Sequence, residues 1–288
     1  MRWTPGGSRA NVEDRRGQSG GGGFGLPIRG LGIGGFLLLL VLSFIFKTNF
    51  FSLLGGGSSA PVTSQAPVSP ENDQMGDFVT AVFNDVQNTW QQELSGSGQG
   101  YQPAKLVLFT DSTQSGCGTG EAAMGPFYCP VDEKAYIDLG FYQELKQRFG
   151  APGDFAQAYV LAHELGHHIQ HLTGIDEKVR QLQEENPREA NALSVRMELQ
   201  ADCFAGVWGH EAAKRRDTSE GIVLDPGDVE EALTAASAIG DDRIQQQAGR
   251  SVNPETWTHG SSDQRVQWFR VGMETGDPGK CDTFEGAL

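Results

Sequence analysis

The stretch LAHELGHHIQH, residues 161–171, holds His163, Glu164 and His167 in the order H-E-x-x-H. On a helix, positions four apart lie on one face a turn apart, so both imidazoles can meet a single cation. Glu164 follows the first of them and projects beside that cation, within reach of a water on it. Two nitrogen ligands and a neighbouring carboxylate are what metal-assisted hydrolysis needs: an ion that acidifies water and a base that takes its proton. His168 points about 100° away from His167, and His171 lies about 12 Å of helical rise from His163, so neither can share the ion. Both are expected to be solvated or hydrogen-bonding residues.

A catalytic zinc ion takes three protein ligands and leaves one position for water. The metzincin extension would place Gly at 170 and His at 173, where this chain has Gln170 and Thr173. A carboxylate from a later helix is the other solution. RMELQADCFAGVW, residues 196–208, carries Glu198 and Asp202 four apart on an otherwise apolar segment. Two unpaired acids facing a core are costly, and a cation removes that cost. Glu198 is therefore the expected third ligand, and Asp202 the acceptor that orients a ligand histidine through its other ring N–H. One Zn2+ per chain follows.

Helices must hold these groups. Phe78, Val82, Phe83, Val86 and Trp90 recur at helical spacing, and the folded part is expected to begin near Met75 and run from 75 to 288. AKLVLFT and AYIDL (135–139) read as short strands. Helices are expected over 141–149, through the histidine cluster, over about 187–214, over 229–239 after DPGD, and over about 263–273. Few strands followed by many helices give an α+β class, mainly helical with a small sheet.

The N-terminal quarter differs in composition. Residues 1–30 are glycine-rich and carry five arginines against Glu13 and Asp14, whereas the chain as a whole has a net charge of −15. An acidic domain is repelled by phosphate backbones, so nucleic acid is not an expected partner. LGIGGFLLLLVLSFIF, residues 31–46, with the following TNFFSLL can just cross a hydrocarbon core. A cleaved signal peptide fits less well, because thirty residues make a long n-region. The expected organisation is a basic cytoplasmic arm (1–30), a transmembrane anchor in the cell (inner) membrane (31–54), a disordered linker (55–74), and a periplasmic or extracellular domain.

Four cysteines, Cys117, Cys129, Cys203 and Cys281, make no CxxC pair, and an even count in an exported domain favours disulfides. Cys117 and Cys129 bracket a loop that closes easily, leaving Cys203 with Cys281. That loop could cover the cleft.

AHELGHHIQ, ELQADCFAGVW, GPFYCP, the N-terminal NVEDRRG and the C-terminal THGSSDQRVQWF together resemble the bacterial family of neutral zinc metallopeptidases. The E-x-x-A-D pairing is also similar to that of membrane-bound gluzincins, which cut prenylated or misfolded proteins. The resemblance implies a zincin fold, zinc on His163, His167 and Glu198, and Glu164 as base. Those gluzincins carry a similar His-then-Arg segment, which here makes His259 the candidate oxyanion donor and lets Arg265 reach Asp202. Zincins bind peptide along an edge strand, and KAYIDL is the candidate. The expected activity is membrane-anchored, zinc-dependent hydrolysis of peptide bonds in a peptide or protein substrate. A catalytically idle zinc-binding scaffold and a periplasmic interaction protein are the competing readings. Glu164 speaks against the scaffold, which has no use for a base there.

Overall fold

The computed structural model of the chain describes residues 1–5, 7–17, 73–96, 98 and 100–286. The expected anchor (31–54), residues 18–30 of the arm and residues 55–72 of the linker lie outside these. Among the described residues no helix is long and apolar enough to cross a membrane.

The fold is mixed α+β and mainly helical, as expected. Helix α1 (Gln74–Gly96) buries the apolar stripe read from the sequence, with Trp90 and Phe83 almost fully covered. Asp73 caps it by accepting from Gly76 N–H at 2.9 Å.

A four-stranded sheet has the order β1 (Val12–Asp14), β2 (Lys105–Phe109), β6 (Lys134–Asp138), β5 (Phe127–Cys129). The first two neighbouring pairs are parallel, and β5 runs antiparallel to β6. Successive side chains of a strand face opposite ways. Leu106, Leu108, Ala135 and Ile137 therefore enter the main core, while Val107, Phe109 and Tyr136 form a second cluster with Cys129. The KLVLF run is apolar because both its faces are covered. A hairpin, β3 (Ser112–Ser115) with β4 (Gly118–Glu121), carries Cys117 in its turn, and Cys117 is bonded to Cys129 at the end of β5.

Two expectations change here. KAYIDL is an interior strand, paired on both sides, and the sheet edge nearest the histidines is β5. Three residues after a Gly-Pro step are too short to show an alternating pattern, which hid this strand in the sequence. The folded part also includes the beginning of the chain, not only residues from about Met75. Residues 12–14 add β1 to the sheet, and Trp3 packs edge-on against Phe78. Arg9 pairs with Asp77 at 2.6 Å, Arg16 pairs with Asp73, and Lys134 reaches Glu13 at 2.8 Å. Arg2, Arg9 and Arg16, three of the arginines that mark this segment as a basic arm, are ion-pair partners of the acidic domain.

The remaining helices are α2 (Phe141–Gln147), α3 (Asp154–Leu172), α4 (Ile175–Glu185), α5 (Ala190–Lys214), α6 (Asp228–Ala238), α7 (Asp241–Gln247) and α8 (Ser262–Thr275). Ser261 caps α8 in a reciprocal capping box with Gln264. Two close approaches set the geometry around α5. A Cβ on Gly166 of α3 would meet the Ala201 backbone at 3.0 Å, and one on Gly272 of α8 would lie 1.9 Å from the Cys203 carbonyl. Only glycine lets these backbones come so near, and α5 is thereby clamped between the histidine helix and α8.

Candidate metal centre

Helix α3 presents His163 and His167 on one face, their ring centroids 4.8 Å apart. The crossing at Gly166 and Ala201 brings α5 alongside, and Glu198 meets both rings. Its Oε2 lies 3.1 Å from His163 Nε2 and its Oε1 3.4 Å from His167 Nε2. Donors spaced this way match the edges of a tetrahedron with bonds of ~2.0–2.1 Å, which are about 3.3 Å long. Two imidazoles, a carboxylate and an adjacent Glu164 are a donor set suited to zinc, so the residues fit the ion.

Each outer ring nitrogen faces an acceptor oxygen. Asp202, fully buried on α5, takes the Nδ1–H of His163 at 2.8 Å and the Tyr159 hydroxyl at 2.5 Å. Arg265 from α8 grips both its oxygens, Nε to Oδ2 at 2.8 Å and a terminal nitrogen to Oδ1 at 2.9 Å. Burial would raise the Asp202 carboxyl, but Arg265 and His163 outweigh it and hold it down to about 2. An ionised Asp202 has no proton to give, so His163 must donate through Nδ1, which makes Nε2 the nitrogen that a metal would take. Gln170 Oε1 accepts from His167 Nδ1 at 2.8 Å and fixes that ring in the same way.

The electrostatics favour a cation on the imidazoles. Burial alone would lower both histidines, yet Asp202 and Glu198 raise His163 to about 10, and Glu198 raises His167. Burial also pushes the Glu164 carboxyl above its ordinary range.

A cavity of about 400 Å³ opens on this group. His163, Glu164, His167, Glu198, His259 and Arg265 line it together, so the structure gathers every expected site residue except Asp202, which sits one layer behind. The loop from Cys117 to Cys129 forms a wall through Met124, Pro126, Phe127 and Tyr128. Phe141, Phe149, Val160, Ile239 and Ile244 make most of the rest apolar.

His259 is half exposed, and its Nδ1 lies 3.3 Å from Asp241 Oδ1. Asp241 was not read from the sequence. Its Oδ2 accepts the backbone N–H groups of Thr258, His259 and Gly260 at 2.8, 2.7 and 3.1 Å, shaping the loop that carries the histidine. Hydrogen bonding to Asp241 raises the His259 pKa, and His259 Nε2 has no hydrogen-bond partner among the described residues. The one available signal for Asp241 was GDD in front of a short polar helix, which names a helix start but not its partner.

The two flanking histidines are outside the metal group, as expected, and both are hydrogen-bonded. His171 pairs with Asp176 at 2.7 Å. His168 is fully buried rather than solvated, with Tyr128 hydroxyl at 2.9 Å and the Gln102 carbonyl at 2.7 Å. It ties the histidine helix to β5. The four cysteines form the expected pairs, Cys117–Cys129 and Cys203–Cys281.

The chain is 48% identical over 289 residues to the uncharacterized protein YpfJ of Escherichia coli (strain K12), covering 99% of each. It is 47% identical over 214 residues to the uncharacterized protein Rv2575 of Mycobacterium tuberculosis (strain ATCC 25618 / H37Rv), covering 73% of this chain and 70% of that one. No solved structure matches. The family model described as "Putative neutral zinc metallopeptidase" matches residues 1–284, from β1 through the histidine helix to the tail bonded to α5, and the chain belongs to that family.

Proposed function

We propose that this chain is a zinc-dependent endopeptidase of zincin type. The observation that carries the reading is the convergence of His163, His167 and Glu198 with Glu164 beside them, at the floor of an open cavity. His163 Nε2, His167 Nε2 and Glu198 would hold the zinc, which when bound supplies a Lewis acid that acidifies water and polarises the scissile carbonyl. Glu164 takes the proton of the attacking water and delivers it to the leaving amine. His259, held as a donor by Asp241, stabilises the negative charge that develops on the carbonyl oxygen. Asp202 and Arg265 keep the His163 ring in register without touching substrate.

The substrate is an extended segment of a peptide or protein. Strand β5 is the sheet edge at the cavity, and Phe127 and Tyr128 line it. Among the described residues, no hydrogen bond other than those to β6 involves the backbone of Phe127, Tyr128 or Cys129. That edge can pair with a substrate backbone. Phe141, Phe149, Val160 and Ile239 then favour a bulky apolar side chain next to the scissile bond. Two of the exposed large apolar residues, Met124 (68%) and Ile244 (40%), stand among the lining residues and extend the same preference outward.

Attachment to the membrane through residues 31–54 belongs to the proposal. Because β1 is hydrogen-bonded to β2, a single crossing between them would separate paired strands, so the proposal is an attachment that keeps the arm and the domain on one side of the membrane.

The test is hydrolysis of unfolded protein by the purified chain carrying one zinc, compared with Glu164→Gln. That variant should keep zinc and lose at least about a hundredfold in rate, the usual share of a general base. Equal rates in both would reject Glu164 as base, and absence of hydrolysis by zinc-loaded wild type would reject the peptidase.

A further inference from the structure

Gln170 is fully buried on α3, three residues after His167, and Gln200 is 5% exposed on α5. Gln170 Nε2 donates to the Met197 carbonyl at 2.7 Å and to Gln200 Oε1 at 3.1 Å. Gln200 Nε2 in turn donates to the Cys281 carbonyl at 3.0 Å. Backbone carbonyls can only accept, so both amides are oriented by the ends of the chain of bonds. The orientation leaves Gln170 Oε1, an acceptor, facing His167 Nδ1 at 2.8 Å. His167 therefore donates through Nδ1, and Nε2 is the nitrogen turned toward Glu198.

The far end of this relay is the tail. Cys281 is disulfide-bonded to Cys203, the residue after Asp202. Thr283 Oγ1 donates to the Arg196 carbonyl at 2.6 Å, and Arg196 donates to the carbonyls of Thr283 and Gly286. The tail is therefore latched along α5 and presents one carbonyl to Gln200.

We infer that Gln170 and Gln200 are positioning residues for His167, and that the disulfide-tethered tail sets, through the Cys281 carbonyl, the ring nitrogen that His167 offers to a metal. His163 is oriented by an ionised acid and His167 by a neutral amide relay that ends in the tail, so the two ligands depend on different parts of the fold. The inference rests on the proposed function in taking His167 as a zinc ligand.

The test measures zinc affinity by chelator competition and the absorption spectrum of the cobalt-substituted protein, with unfolding of each variant followed separately. Gln170→Leu removes the acceptor and should weaken zinc roughly 10–100-fold, the effect usual for a lost orienting partner, and shift the cobalt bands. Gln170→Glu keeps an oxygen at the same place and, protonated on the oxygen that replaces Nε2, still donates to the Met197 carbonyl, so it should restore most of the affinity. Gln200→Leu, and Cys203→Ala combined with Cys281→Ala, should weaken zinc to a smaller and mutually similar extent. Wild-type affinity and spectrum in Gln170→Leu would overturn the inference. So would equal loss in Gln170→Leu and Gln170→Glu, since packing rather than the acceptor would then matter. A wild type that binds no zinc at all would instead overturn the metal reading, and that result is seen before any variant is made.

Discussion

Asp202 accepts from His163 Nδ1 at 2.8 Å while lying fully buried, and this contact separates it from Glu198 one helical turn earlier. Both acids are on one face of α5, yet Glu198 faces the inner nitrogens of the two rings and Asp202 the outer nitrogen of one. They should therefore respond differently to substitution. Glu198→Ala removes a ligand and should lose both zinc and activity. Asp202→Asn should weaken zinc by roughly 10–100-fold and keep some turnover at high zinc. Zinc titration of both variants checks this; if Asp202→Asn lost stoichiometric zinc while Glu198→Ala kept it, the third ligand would be Asp202.

Arg265 holds that acid in place. Replacing Arg265 with Met leaves a buried carboxylate without its cation, and breaking a buried pair costs about 3–5 kcal/mol. Denaturant unfolding should show a loss of that order. A loss below about 1 kcal/mol would mean that the Tyr159 hydroxyl and His163 suffice to satisfy Asp202.

The assignment of His259 makes a statement about pH. Its donor role needs the protonated ring, and hydrogen bonding to Asp241 raises its pKa above the ordinary histidine value. Activity should therefore fall as pH rises through that raised pKa. Asp241→Asn removes the cause and should move the alkaline limb of kcat to lower pH with zinc content unchanged. His259→Phe should lower kcat by about 10²–10³, the usual effect of losing one oxyanion donor. An alkaline limb that stays in place in Asp241→Asn would remove His259 from the proposed mechanism.

Pairing of β1 with β2 makes a prediction about compartments. A cysteine at exposed Ala10 and one at exposed Val252 should label from the same side of the membrane in intact cells with an impermeant reagent. Labelling of only one of them would show that the arm leaves the sheet in the membrane-attached protein.

The proposed site residues on α3 were legible because a helix turns a local spacing into a shared face, so His163, Glu164 and His167 needed no tertiary information. Glu198 and Asp202 were legible for a related reason: acids on an apolar helix demand a partner, and a cation shared with the histidine pair supplies one. The two disulfides followed from pairing a closable loop first. Local order also placed α1, α5, α6 and α8 within a few residues.

Tertiary structure decided what depends on contacts between distant segments. Which strand is the edge could not be read from β5, three residues long, and it needed the pairing of β6 with β2 on its other side. Residues 1–17 read as a separate arm because their charge and glycine content contrast with the domain, but opposite charge is what lets Arg9 and Arg16 bind Asp77 and Asp73. Asp241, Gln170 and Gln200 carry no signature of their own, since polar side chains are common on helices and only burial against a specific partner gives them a role. A sequence pattern reports periodicity along one element, whereas the second layer of this site is built from single bonds between elements, and those exist only once the chain has packed.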